Sequence, residues 1–115
     1  ILSVSTINAG VRHNIIPDKA ELSDTLRTFD SAQRDRLKLD IEKSVTGLAA
    51  LYGTEARVSF TQAGALTYNE PALAAWIAGP LGEAAGKDGI NPASAPVTPS
   101  EDVSLFMNEV GGVYY

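Results

Sequence analysis

Few side chains in this 115-residue chain could do chemistry. It has no cysteine and one histidine, His13. A thiol nucleophile, a thiolate metal site and a disulfide scaffold are therefore excluded, and a self-contained zinc site lacks donors. Ser100 has no local histidine to activate it, and no glycine-rich phosphate loop is present. The pair Glu101 and Asp102 has two readings. It is a general base or metal ligand, or it is two charges complementing the dipole at the start of a capped helix. His13, set between Arg12 and Asn14 in a polar loop, reads as a solvated or capping residue. Asn14 and Arg27 are less easily dismissed. Asn14 immediately precedes Ile15-Ile16-Pro17. Arg27 falls in a strand pattern, on the face opposite Leu22 and Leu26, where its planar guanidinium suits a carboxylate. The other reading of Arg27 is a cross-strand pair with Glu21 or another acid.

The elements that must position these residues follow from periodicity. Over Ile1 to Ile7, Leu2 and Val4 alternate with Ser3 and Ser5, the pattern of a half-buried strand. Asn8-Ala9-Gly10 signals a turn. From Lys19 to Phe29 the alternation resumes, with Ala20, Leu22 and Leu26 on one face and Glu21, Ser23, Thr25 and Arg27 on the other. Asp24 interrupts the apolar face, which predicts an edge or a bulge there. Asp30 can cap a helix from Ser31 to Tyr52, with Gln33 at the capping-box position and Gly53 at the C′ site. Its apolar stripe is Leu37, Ile41, Val45, Leu48 and Tyr52, and Arg34, Arg36, Lys38, Asp40 and Lys43 form the solvated face. Alternation over Ala56 to Gln62 predicts a third strand in one antiparallel sheet with the first two, covered by the helix.

The later half has a different texture. Asn69-Glu70-Pro71 begins a helix with apolar residues Leu73, Trp76, Ile77 and Leu81, which Gly79-Pro80 should break or kink. Residues 86–99 read as loop with room for one short strand. Thr98-Pro99-Ser100-Glu101 is a capping box opening a short helix to about Glu109, ended by Gly111-Gly112, and Val113-Tyr114-Tyr115 reads as the start of a strand. Both ends of the chain fall at or inside strand patterns, so the expectation is a segment of a longer protein. The expected class is α+β.

Composition narrows the function further. Hydrophobic residues make up 44% and charged residues 20%, as in an ordinary folded domain. The longest apolar run, Ala72 to Ala78, is seven residues, where a membrane helix needs about twenty. The first residues lack the basic and apolar regions of a leader, and the expected location is the cytoplasm. Residues 1–58 hold eight basic and eight acidic side chains, so the net charge of −5 arises wholly from residues 59–115. No basic cluster offers the footprint that nucleic acid needs.

Asn14-Ile15-Ile16-Pro17-Asp18-Lys19-Ala20-Glu21-Leu22, followed by Thr25-Leu26-Arg27-Thr28-Phe29-Asp30, resembles a signature of the zinc-dependent aminoacylase and carboxypeptidase superfamily. The resemblance is to its N-acyl-amino-acid amidohydrolase branch, which includes hippurate hydrolase. That family carries Gly-Gly, three variable residues, Asn-Val-Ile-Pro-Asp and then Gly-Thr-hydrophobic-Arg-Thr-Phe. Asn69 before Pro71, Ser100-Glu101-Asp102-Val103-Ser104 and Val110-Gly111-Gly112 resemble its later blocks in order. Ala9, Asp24, Val103 and Gly111 depart from the usual Gly, Gly, Phe and Pro.

The resemblance implies a partial ferredoxin-like lid and dimerisation domain over residues 1–64, followed by a segment of an α/β catalytic domain over residues 65–115. It implies hydrolysis of N-acyl amino acids or small peptide amides by a full-length homodimer holding two divalent ions, zinc or manganese. No catalytic residue or metal ligand maps onto this segment. Asn14 and Arg27 match the lid residues that hold the substrate carboxylate, and Glu101 and Asp102 fall near the active site. The competing class is a non-catalytic ferredoxin-like module for oligomerisation or ligand binding.

Overall fold

The computed structural model describes residues 1–86 and 88–115. It is an α+β structure with element order β1 (Leu2–Ala9), β2 (Ala20–Leu26), α1 (Ser31–Leu51), α2 (Pro71–Ala85) and α3 (Ser104–Val110). Two compact units are distinguished, Ile1–Ser59 and Phe60–Tyr115.

In the first unit β1 and β2 form an antiparallel ribbon. Its register shows why β1 reads as it does. Leu2 pairs with Leu26 and Val4 with Asp24, yet Thr6 pairs with Ser23 and Ile7 with Leu22, so the register shifts between Val4 and Thr6. The extra residue, Ser5, changes the phase of β1. Because directly paired residues share a face, Leu2, Val4, Ile7 and Ala9 all lie on one side with Leu26, Leu22 and Ala20. A regular strand would have turned Ile7 to the polar side. Asp24 sits opposite Val4 beside this bulge, where an acid on an apolar face is least costly. The ladder continues past both strands, since the Arg27 amide donates to Ile1 O at 2.8 Å and the Ile1 nitrogen donates to Arg27 O at 2.7 Å.

Helix α1 begins as its sequence dictates. The Asp30 carboxylate accepts from the Gln33 amide at 2.6 Å, and Gly53 ends the helix at φ +68°, a conformation that favours glycine. Its polar face carries weak pairs, Arg36 to Asp40 and Lys38 to Asp35, each at 3.8 Å. Its apolar stripe is only partly covered. Leu37 and Ile41 are half-buried, whereas Leu48 is 58% exposed. The helix meets the ribbon beside Leu2, across a hollow of about 270 Å³ lined also by Ile41 and Val45.

Two expectations are corrected here. Ala56 to Gln62 is no strand. Ala56 and Val58 are half-buried and Arg57 and Ser59 exposed, as alternation predicts, but the segment makes no ladder with β1 or β2. Strand propensity yields a strand only where a partner edge supplies hydrogen bonds. For the same reason Val45 and Leu48 are not covered, because two strands about 4.8 Å apart present too narrow a face for a long apolar stripe.

The second unit also departs from expectation. Helix α2 is capped by Glu70, whose carboxylate accepts from the amides of Ala72 and Leu73 at 3.1 and 2.7 Å. It runs through Gly79-Pro80 without breaking. Proline removes one donor and one intrahelical bond, and the exposed surroundings of Pro80 leave the freed carbonyl open to water. The inward face is Ala74, Ile77, Ala78 and Leu81, and Trp76 is 67% exposed. The loop expected over residues 86–99 is present in its described part, and Lys87 lies outside the described residues.

The capping box at Thr98 to Glu101 is not used as a cap. Residues 102–103 form a turn and α3 starts at Ser104, because the Ser104 side chain is drawn inside to accept from the Ala65 amide at 3.3 Å. Ser104 (0% exposed) and Met107 (7%) are the buried pair at the centre of this unit.

Replacing Asp30 by Ala should remove the acceptor for the first turn of α1 and cost about 1 kcal/mol, while Asp30→Asn should keep most of it. Amide exchange in the first turn of α1 is the measurement, with faster exchange expected only in the alanine variant.

Candidate functional site

The ribbon places the residues singled out above. Asn14 is exposed in the loop that joins β1 to β2, beyond the last pair Ala9–Ala20. Arg27 is half-buried at the other end, where its backbone pairs with Ile1. Alternation from Leu22 and Leu26 sets it on the polar face. Glu21 is bonded by Lys19, whose ammonium donates at 2.7 Å. That bond raises the Lys19 pKa and lowers that of Glu21. From Ala20 to Arg27 the strand advances by roughly 20 Å at about 3.3 Å per residue. Within one chain, Asn14 and Arg27 therefore stand at opposite ends of the ribbon and cannot grip one small carboxylate together.

The β1–β2 loop is shaped as well as exposed. Gly10 takes φ +72°, and the Ile15 amide donates to Arg12 O at 3.4 Å. Together with Pro17 these turns enclose an open hollow of about 450 Å³, into whose lining Arg12 and His13 enter beside apolar Val11 and Ile15. His13 reads from the sequence as a solvated or capping residue, and Arg12 carries no signal of its own. Nothing in their spacing signals a concavity, which depends on the positive φ of Gly10 and the approach of Pro17.

In the second unit Glu101 and Asp102 precede α3 rather than lying in its first turn. Their carbonyls accept from the amides of Ser104 and Leu105 at 3.0 and 3.3 Å. The Glu101 charge, and after it hydrogen bonding toward its carboxylate, raise the Tyr114 pKa above the usual phenol value. Asn69 has a structural use in the same unit. Its side-chain amide donates to Tyr114 O at 3.1 Å while its oxygen accepts from the Tyr114 amide at 2.8 Å, and the Glu70 amide donates to Gly112 O at 2.9 Å. The Asn69 side chain thus takes the place of a strand backbone. Asn108 donates to Leu66 O at 2.8 Å and Ser104 O at 2.6 Å, which ties α3 to the incoming segment. The Thr67 hydroxyl oxygen is buried without a hydrogen-bond partner.

Among the described residues no group of three or more His, Asp or Glu side chains gathers as a metal ion would need. These residues do not fit a metal centre of their own. No helix among them is long and apolar enough to cross a membrane.

Comparison with known proteins bears out the family resemblance. The chain is 28% identical over 116 residues, its whole length, to a thermostable carboxypeptidase 2 of Saccharolobus solfataricus, covering 28% of that protein. It is 31% identical over 117 residues to an N-acetyl-L-cysteine deacetylase of Bacillus subtilis, covering 99% of this chain and 27% of the relative. An N-acyl-L-amino acid amidohydrolase of Geobacillus stearothermophilus is 32% identical over 72 residues, 61% of this chain and 20% of the relative. These curated relatives are carboxypeptidases, deacetylases and amidohydrolases, consistent with the aminoacylase and peptidase superfamily. The chain spans little more than a quarter of their length. No family model matches it, and no solved structure matches it.

The Tyr114–Glu101 bond has a pH signature. A phenol whose pKa is raised by folding stabilises the fold fully below the ordinary tyrosine range, and that contribution is lost as pH climbs through the raised value. Glu101→Gln should bring the alkaline titration of Tyr114 down toward the usual value. Ultraviolet titration, with Tyr114→Phe identifying the transition, checks this.

Proposed function

We propose that this chain is the recognition and dimerisation segment of a metal-dependent amidohydrolase or peptidase acting on N-acyl amino acids or small peptide amides. In this reading residues 1–64 belong to a ferredoxin-like lid domain and residues 65–115 to an α/β catalytic domain, in a cytoplasmic homodimer. The two divalent ions, zinc or manganese, would be held by residues outside this segment. The reaction adds water across an amide C–N bond to give a carboxylate and an amine. The observation that carries the reading is similarity along the whole chain to carboxypeptidases and amidohydrolases, joined to a ribbon that presents Asn14 and Arg27. The β-β-α order of the first unit is compatible with part of a lid domain.

The separation of Asn14 and Arg27 supports a particular arrangement. If both hold the substrate carboxylate, Arg27 of one subunit meets Asn14 of the other at one site. The guanidinium supplies a bidentate, charge-matched grip and the Asn14 amide adds one donor. Glu101 and Asp102 belong to the catalytic-domain segment in this reading, close to the active site, with Glu101 already oriented by Tyr114.

In the full-length enzyme, Arg27→Ala should lower kcat/KM by roughly one to two decades, the worth of a charge-assisted bond of about 1.5–3 kcal/mol. Arg27→Lys should recover only part. The loss should shrink on substrates whose free carboxylate is replaced by an amide. Equal losses on both would assign Arg27 a structural role.

A further inference from the structure

The hollow in the β1–β2 loop is used neither by the fold nor by the carboxylate grip assigned to Arg27. It is open and solvent-exposed, with Val11, Ile15 and Pro17 in its lining beside the polar side chains of Arg12 and His13. Between Gly10 and Pro17 the chain carries no acid. The acid at Glu21 is taken by Lys19, and no ion pair involves Arg12 among the described residues. A cationic fork and an imidazole beside apolar side chains suit a short aliphatic chain ending in an anion. The carboxylate meets the guanidinium and the hydrocarbon lies against Ile15 and Pro17. Gly10 at φ +72° and the Ile15-to-Arg12 turn shape the loop.

We propose that Arg12 and His13 form a second anion site, which receives the side-chain carboxylate of an acidic N-acyl amino acid. This rests on the hydrolase reading above. Arg27 stands at the far end of the ribbon and takes the α-carboxylate. Arg12 and His13 flank Asn14 on the loop that reaches the same site from the other subunit. The site therefore selects dicarboxylic substrates over neutral ones, and Arg12 is a specificity-determining residue.

The test compares N-acetylglutamate with N-acetylglutamine, alike in shape and different in side-chain charge, on the full-length protein. The expected result is a preference for the acid. Arg12→Ala should lower kcat/KM for the acid roughly tenfold and barely change it for the amide. Arg12→Lys should keep part of the preference, and His13→Gln should weaken it less than Arg12→Ala. Equal effects on both substrates, or a wild-type enzyme indifferent to the charge, would overturn the proposal. Calorimetric binding of the same two compounds separates this site from the hydrolase reading. Where neither these compounds nor other N-acyl amino acids and small peptide amides are hydrolysed, that reading fails. Tighter binding of the acid, abolished in Arg12→Ala, still supports the anion site, and equal or absent binding overturns it.

Discussion

The antiparallel pairing of Leu2–Ala9 with Ala20–Leu26 is the constraint from which the rest of the first unit follows. It joins the ends of a long loop and sets every later side chain to one face or the other. Its bulge at Ser5 lets two stretches of β1 with opposite phase share one apolar face. It also fixes a length, because residues at the two ends of the ribbon are held apart by the rise of the strand and not by flexible chain. Asn14 and Arg27 are thirteen positions apart in sequence. The ladder turns that spacing into separation, since one residue lies past the turn and the other past the opposite end.

Much of this was legible in the residues. Asp30, Gln33 and Gly53 announce α1 because capping is local chemistry, readable from a few neighbouring side chains. Asp24 announced the irregular register because an acid on an apolar strand face needs an exit to water. Where the reading went astray, the deciding interaction was not local. Ala56 to Gln62 has strand residues and no ladder partner, and propensity cannot supply one. The capping box at Thr98 gives way because Ser104 bonds to Ala65, thirty-nine residues earlier. Trp76 is apolar and still faces outward, 67% exposed, while the half-buried Ala74 and Ala78 lie on the other side of α2.

The candidate site divides along the same line. Asn14 and Arg27 stood out through a family pattern that links them, and the geometry then restricted how they can act together. Arg12 and His13 carry no pattern. A hollow made by a positive-φ glycine and the approach of a proline is a property of the folded loop, invisible to spacing. In the second unit, Asn69, Glu101 and Tyr114 are tied to one another's neighbourhood by hydrogen bonds that hold the segment after α3 against the segment before α2. Two segments 42 to 45 residues apart are thereby held side by side.

The central claim is that Asn14 and Arg27 serve one substrate from two different subunits. Mixed dimers test it most directly. Chains bearing Asn14→Ala and chains bearing Arg27→Ala, each impaired alone, are unfolded together, refolded and assayed. A dimer of unlike chains then contains one site with both residues intact and one with neither, as twofold symmetry requires. The account predicts activity in the mixture well above that of either variant. Activity no greater than the average of the two would place both residues in one subunit's site and contradict it.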